Sequence, residues 1–200
     1  MEKPLGAITV TRKKGDEHFK AKGIRLEHTL LGFWQWAFSD VSSNASRGVL
    51  AEYIVASALG IAANTRREWD AYDLETQDGI KLEIKSASYL QSWAQAKPSQ
   101  ILFDIAPTRA WQASTNEYSG ECKRQADVYV FCLLNHHEKA TLDPLDLDQW
   151  DFYLLSTAVL NAEKPCQRTI GLAALLRLNP VKASFGEIGP AIKKILAASI

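Results

Sequence analysis

One run constrains this chain more than any other: ADVYVFCLL, residues 126–134. It is almost continuously apolar, β-branched and aromatic, the mark of a strand buried on both faces. Such a strand needs a sheet covered by other elements on each side, so the expectation is a mixed α/β layer architecture. At 200 residues the chain can bury one core and still leave length for an arm or lid. With 46% hydrophobic and 23% charged residues, disordered, collagenous and disulfide-scaffold classes are excluded.

Lys+Arg and Asp+Glu both number 23, which argues against a surface coated in positive charge for indiscriminate nucleic-acid binding. A local basic groove remains compatible with that balance, because carboxylates of a metal site offset nearby Lys and Arg. Cys122, Cys132 and Cys166 are odd in number with no CxxC spacing, and read as reduced thiols of a cytosolic protein. The first twenty residues hold no apolar stretch of a secretory signal. No apolar run approaches the roughly 20 residues of a membrane span, so a soluble, cytoplasmic protein is expected.

Residues 1–44 read as an N-terminal arm followed by an aromatic helix, and 45–200 as the main α/β domain with C-terminal helices. The helix is expected over 24–38, with Phe33, Trp34, Trp36 and Phe38 packing on the core; a face that stacks on bases is the other reading. A second helix, RGVLAEYIVASAL, is capped by Asn44 or Ser46 and ended by Gly60. Strand-like runs follow at EWDAYDLET, IKLEIKSAS and ILFDI. Residues 108–125 read as an irregular or helical crossover. QWDFYLLS gives one more strand, then GLAALLRL and GPAIKKILAA give helices.

The chemistry gathers in WDAYDLETQDGIKLEIKSA. Gln77-Asp78-Gly79 fits a three-residue hairpin loop closed by a left-handed glycine. Thr76 then pairs with Ile80, Asp73 falls opposite Glu83, and Lys85 shares their face by strand alternation. Opposed side chains have Cβ atoms about 4.5–5.5 Å apart, the scale for one hard cation between two carboxylates. An exposed strand face of alternating charge is the bland alternative. Against it stands Glu52, in an otherwise apolar helix, where a buried carboxylate needs a metal or a lysine as partner.

At these residues the sequence resembles the PD-(D/E)xK, or restriction-endonuclease-like, nuclease superfamily. That family carries Glu on a helix, Asp on the first strand of a hairpin, and Glu-x-Lys on the second. Here these are Glu52, Asp73 and Glu83-Ile84-Lys85. The chain as a whole also resembles a group of small bacterial proteins. The resemblance implies an α/β restriction-endonuclease-like core, a mixed central sheet flanked by helices in the order helix, three strands, helix, strand. It implies a nuclease hydrolysing phosphodiester bonds in DNA. Asp73, Glu83 and Glu52 would hold Mg²⁺ or Mn²⁺, with the Ile84 carbonyl as a further ligand, and Lys85 would orient the nucleophile or stabilise the transition state. Because restriction-like nucleases often pair to cut two strands, it also allows a homodimer.

Weaker candidates surround this set. Arg47, Ser86, Tyr89 and Gln91 could line a substrate groove, with Arg47 at a helix start that favours anions. Lys81, Lys97, Arg109, Lys123 and Arg124 could meet phosphates, or be solvated surface charges. Cys132 with His136 and His137 lacks the second ligand pair of a zinc site. A catalytically inactive nucleic-acid- or protein-binding module on the same fold is the main rival. A different hydrolase built on the Trp111–Lys123 loop is a third reading, which a large cleft remote from Glu83 would favour.

Overall fold

A computed structural model describes residue 6 and residues 8–66, 71–112 and 117–197. It opens with a hairpin of β1 (His18–Ala21) and β2 (Ile24–Thr29), then α1 (Leu30–Phe38). The helix expected over 24–38 is therefore shorter, and its first six residues are strand. Lys22 and Gly23, both left-handed at φ 51° and 81°, form the tight turn that the helical reading overlooked. Thr29 caps α1 by accepting from the Gly32 amide at 3.2 Å. No residue of α1 is buried, and Trp36 is 85% exposed. Trp34 and Leu31 of this helix lie against Gly15 of the arm.

The second helix, α2 (Asn44–Ala58), buries Arg47, Ala51, Glu52, Ile54, Val55 and Ala56. Ser43 stands at its N-cap position, and Gly60 follows it with φ 69°. The central sheet is built from β3 (Leu74–Glu75), β4 (Lys81–Ser88), β8 (Val128–Leu134), β9 (Trp150–Ser156) and β11 (Val181–Ala183), in the spatial order β11-β9-β8-β4-β3. Only β4 and β8 run parallel. All seven residues of β8 are buried, as the apolar run demands.

Each sheet face has its own core. Leu82 and Ile84 of β4 with Val128, Val130 and Cys132 of β8 pack against α2 and the C-terminal α5 (Ile188–Ala197). On the opposite face, Tyr129, Phe131 and Leu133 meet Phe103 and Ile105. Leu160 of α3 (Thr157–Glu163) and Leu175 of α4 (Leu172–Leu176) close that side.

The crossover from β4 to β8 differs from the expected order. β5 (Leu102–Asp104) leaves the main sheet to pair with β10 (Thr169–Gly171). Residues 108–125, read as irregular or helical, contain a hairpin of β6 (Thr108–Gln112) and β7 (Glu117–Lys123). The described part of the crossover contains no helix, and α3 and α4 from later in the chain cover that face. The architecture is a five-stranded mixed sheet with helices on both sides, without the second core helix in its expected place. Among the described residues no helix is long and apolar enough to cross a membrane.

Candidate active site

The loop after β3 closes as its residues dictate. Thr76 N–H donates to the Ile80 carbonyl at 2.9 Å and Gly79 N–H to the Thr76 carbonyl at 3.0 Å. Gly79 has φ 79°, the left-handed position of a three-residue loop. Leu74 faces Leu82 and Glu75 faces Lys81, the register that loop length sets. At Asp73 the ladder stops. Its N–H goes to the Leu82 carbonyl at 3.0 Å, and its Oδ2 accepts from the Ile84 N–H at 2.6 Å. In a continued antiparallel ladder that Ile84 N–H would reach the Tyr72 carbonyl. The Asp73 side chain has taken the place of backbone.

Glu83 and Lys85 alternate onto the β4 face opposite Leu82 and Ile84. Lys85 Nζ donates to Glu83 Oε1 at 2.6 Å, with both side chains largely shielded from solvent. Buried Tyr129 lies beside Glu83 in the neighbouring strand. Burial, then the negative charge of Glu83, pushes the Asp73 carboxyl up to about 6. Burial also disfavours the Lys85 ammonium, but Glu83, Asp73 and Asp104 outweigh it and hold Lys85 above its usual range.

Glu52 approaches from α2. Arg66, in the loop beyond that helix, grips both of its oxygens: Nε to Oε2 at 2.5 Å and Nη2 to Oε1 at 2.8 Å. Burial raises the Glu52 carboxyl, Arg66 opposes this, and Asp73 adds to it. The buried carboxylate thus has a guanidinium as its partner. Sequence reasoning missed Arg66; only the unpaired acid in an apolar helix pointed toward it.

Glu52 and Asp73 line a cleft of about 870 Å³ together with Arg12, Tyr53, Arg66 and Tyr72. Glu83 and Lys85 are not on its wall, so the four residues divide. Glu52 stands on the α2 side, Glu83 and Lys85 on the far side, and Asp73 between them at the sheet edge. Among the described residues, no group of three His, Cys, Asp or Glu side chains is set to hold a metal. Of the neighbouring carboxylates, Glu83 acts most strongly on Asp73.

The sequence model of the bacteriophage T4 endonuclease IV family matches residues 9–173. The chain belongs to that family. Membership places it among nucleases. The matched span contains α2, the β3–β4 hairpin, β8, β9 and Arg66, and it ends within α4. No curated protein matches the chain.

Within this endonuclease-family protein, the weaker candidates part company. Arg47 is buried and turned inward, donating to Ser86 Oγ at 3.2 Å, Gln91 Oε1 at 3.3 Å, Asn44 Oδ1 at 2.7 Å and the Ser42 carbonyl at 2.8 Å. Burial lowers its pKa, opposed by Asp40. Ser86 and Gln91 thus join Arg47 in tying α2 to β4. Tyr89 instead lies by the His137 ring, centroids 4.3 Å apart.

Arg124 is buried as well, donating to carbonyls of Ile105, Lys164 and Gln167 and to Asn161. Lys81 sits over the Tyr72 ring, Lys123 pairs with Glu121, and Lys97 and Arg109 are exposed. Cys132 is sealed in the core while His136 bonds Thr141, so these residues are not gathered for zinc. All three cysteines are free.

Proposed function

We propose that this protein is a metal-dependent nuclease that hydrolyses phosphodiester bonds in DNA at a PD-(D/E)xK-type site. The observation that carries the proposal is Asp73. Its carboxylate is drawn out of the ladder to the Ile84 amide, beside Glu83 and its partner Lys85. A protein with no use for a cation has little reason to hold one buried acid against another. Membership of an endonuclease family supports the same reading.

The donor set fits a hard divalent cation, since all the candidate ligands are carboxylate oxygens. Asp73 and Glu83 would hold Mg²⁺ or Mn²⁺, with Glu52 as a third ligand. When bound, the cation supplies charge neutralisation at the phosphate and acidifies a water. Lys85, kept charged by its acidic neighbours, places a positive charge where negative charge develops on the phosphate oxygens. The Ile84 amide fixes Asp73, and the Arg47 bonds to Ser86 and Gln91 hold α2, and so Glu52, against β4.

The rival reading is a non-cleaving binding module on the same fold. Cleavage of plasmid, linear and single-stranded DNA with Mg²⁺ or Mn²⁺ separates the two. Wild type should cut only with cation, and Asp73→Ala and Lys85→Ala should each lose about 100-fold or more. No cutting, together with no cation uptake in a titration, would establish the binding module instead.

A further inference from the structure

We infer that Arg66 is an exchangeable counter-ion of this site: it holds Glu52 while no cation is bound, and turns to a substrate phosphate when a cation takes that carboxylate. The inference rests on the nuclease reading above.

Glu52 is engaged as it stands, because both of its oxygens accept from one guanidinium. Asp73 and Glu83 differ. The bonds shown for each, from the Ile84 amide and from Lys85, engage one oxygen. Arg66 is therefore the group that a cation would have to displace to gain Glu52 as its third ligand.

Its position suits displacement. The side chain is 37% exposed while that of Glu52 is 11%, and it springs from a loop rather than from a packed helix or strand. Release would leave the carboxylate beside Asp73 with only the weaker pull of Lys85 to offset its charge, so the exchange is favourable when another positive charge arrives. Arg66 also lines the same cleft as Arg12 and Tyr53. A guanidinium fork that fits a carboxylate fits a phosphate equally well. Cation uptake and phosphate capture would then be coupled through a single side chain. By linkage, each strengthens the other.

The test is a Mn²⁺ titration of the full chain, followed by calorimetry or by the spin signal of free Mn²⁺, with Arg66→Ala, Arg66→Lys and Glu52→Gln alongside. Arg66→Ala should bind Mn²⁺ about tenfold more tightly than wild type, a coupling of ordinary size. Arg66→Lys, which lacks the planar two-pronged fork, should fall between them and serves should the alanine variant unfold. Adding Glu52→Gln to either should erase the gain. A residue that merely supported the fold would weaken cation binding on removal, so the direction of the change decides.

On a Lys85→Ala background, which blocks turnover, Arg66→Ala should weaken binding of a short oligodeoxynucleotide about tenfold in Mn²⁺. Without the cation it should have much less effect. Equal or weaker Mn²⁺ affinity in the folded Arg66 variants overturns the exchange while leaving the nuclease reading in place. Unchanged oligonucleotide affinity overturns the phosphate half. No Mn²⁺ uptake by wild type or any variant overturns both readings together.

Discussion

The two faces of β4 do different work on one backbone. Toward α2, Leu82 and Ile84 are 0% and 6% exposed and belong to a core that spans three further strands and α5. Toward the other side, the same strand presents Glu83 and Lys85 to each other, and the face turns apolar only at Ala87, which joins the second core. The charged half lies at the end nearest the hairpin and the apolar half at the end nearest Tyr89. Apolar packing and charge are thus kept on separate faces of one strand. A strand can carry two polar side chains into a layered fold if they lie where the covering layer stops and they neutralise one another.

The largest effect should come from cutting into the α2 face. Leu82→Ala should cost about 2–5 kcal/mol, the range for a sealed leucine, read from the shift of a denaturant unfolding curve at constant slope. Lys85→Ala, which leaves a partly shielded Glu83 without its partner, should move the same curve by less, about 1–2 kcal/mol, while abolishing cleavage. If the two variants are equally unstable, the faces are not separable and the comparison breaks.

The next effect has the opposite sign. The Asp73 carboxyl, ordinarily near 3.8, is raised to about 6 by burial and by Glu83. A carboxyl whose pKa is higher in the folded state costs stability when it ionises. That cost is full above about pH 6 and fades as pH falls from about 6 toward 3.8. Asp73→Asn keeps an oxygen for the Ile84 amide and removes the charge. In cation-free buffer it should stabilise the protein by roughly 1–3 kcal/mol at pH 7.5, and the gain should vanish near pH 4. Melting curves of both proteins across that range check the prediction. A gain that persists unchanged at pH 4 would mean that the charge of Asp73 is not its source.

Much of this contrast is legible in the order of the residues alone. The apolar run at 126–134 requires two covering layers, and α2 and α5 on one face with α3 and α4 on the other supply them. Gln77-Asp78-Gly79 sets the hairpin register, because loop length and a left-handed glycine leave one solution. What stays hidden is non-local. That β5 abandons the hairpin sheet for β10 depends on a partner 65 positions downstream (Thr169 opposite Asp104), which no local pattern reports. The β6–β7 hairpin lacks alternating hydrophobicity, because as a two-stranded ribbon outside the main sheet it is not required to bury one face.

The aromatic load of α1 reads as core, yet Phe33, Trp36 and Phe38 are exposed, since composition measures what a helix could bury and not what lies beside it. Of the residues proposed for the site, Glu52, Asp73, Glu83 and Lys85 can be picked out by residue type and spacing. Arg66 cannot, since a loop arginine carries no periodicity. The inward turn of Arg47 is equally invisible, because its acceptors Ser86 and Gln91 lie 39 and 44 residues away.

The smallest effect tests Ser86, the polar residue next to the apolar pair on the α2 face. Ser86 follows Leu82 and Ile84 on the α2 side, where its hydroxyl accepts from Arg47 Nε. Ser86→Ala removes one of the four bonds described for a buried guanidinium, and should cost about 1 kcal/mol of stability. The consequence for cleavage should be proportionately larger. Arg47 anchors the first turn of α2, and Glu52 lies little more than one turn further along the same helix, so slack at Ser86 reaches the carboxylate. A cleavage loss of about tenfold with unfolding shifted by only about 1 kcal/mol would mark the Arg47 bonds as positioning Glu52. A loss of stability with cleavage untouched would return Ser86 to the role of Leu82 and Ile84, and leave Glu52 held by Arg66 alone.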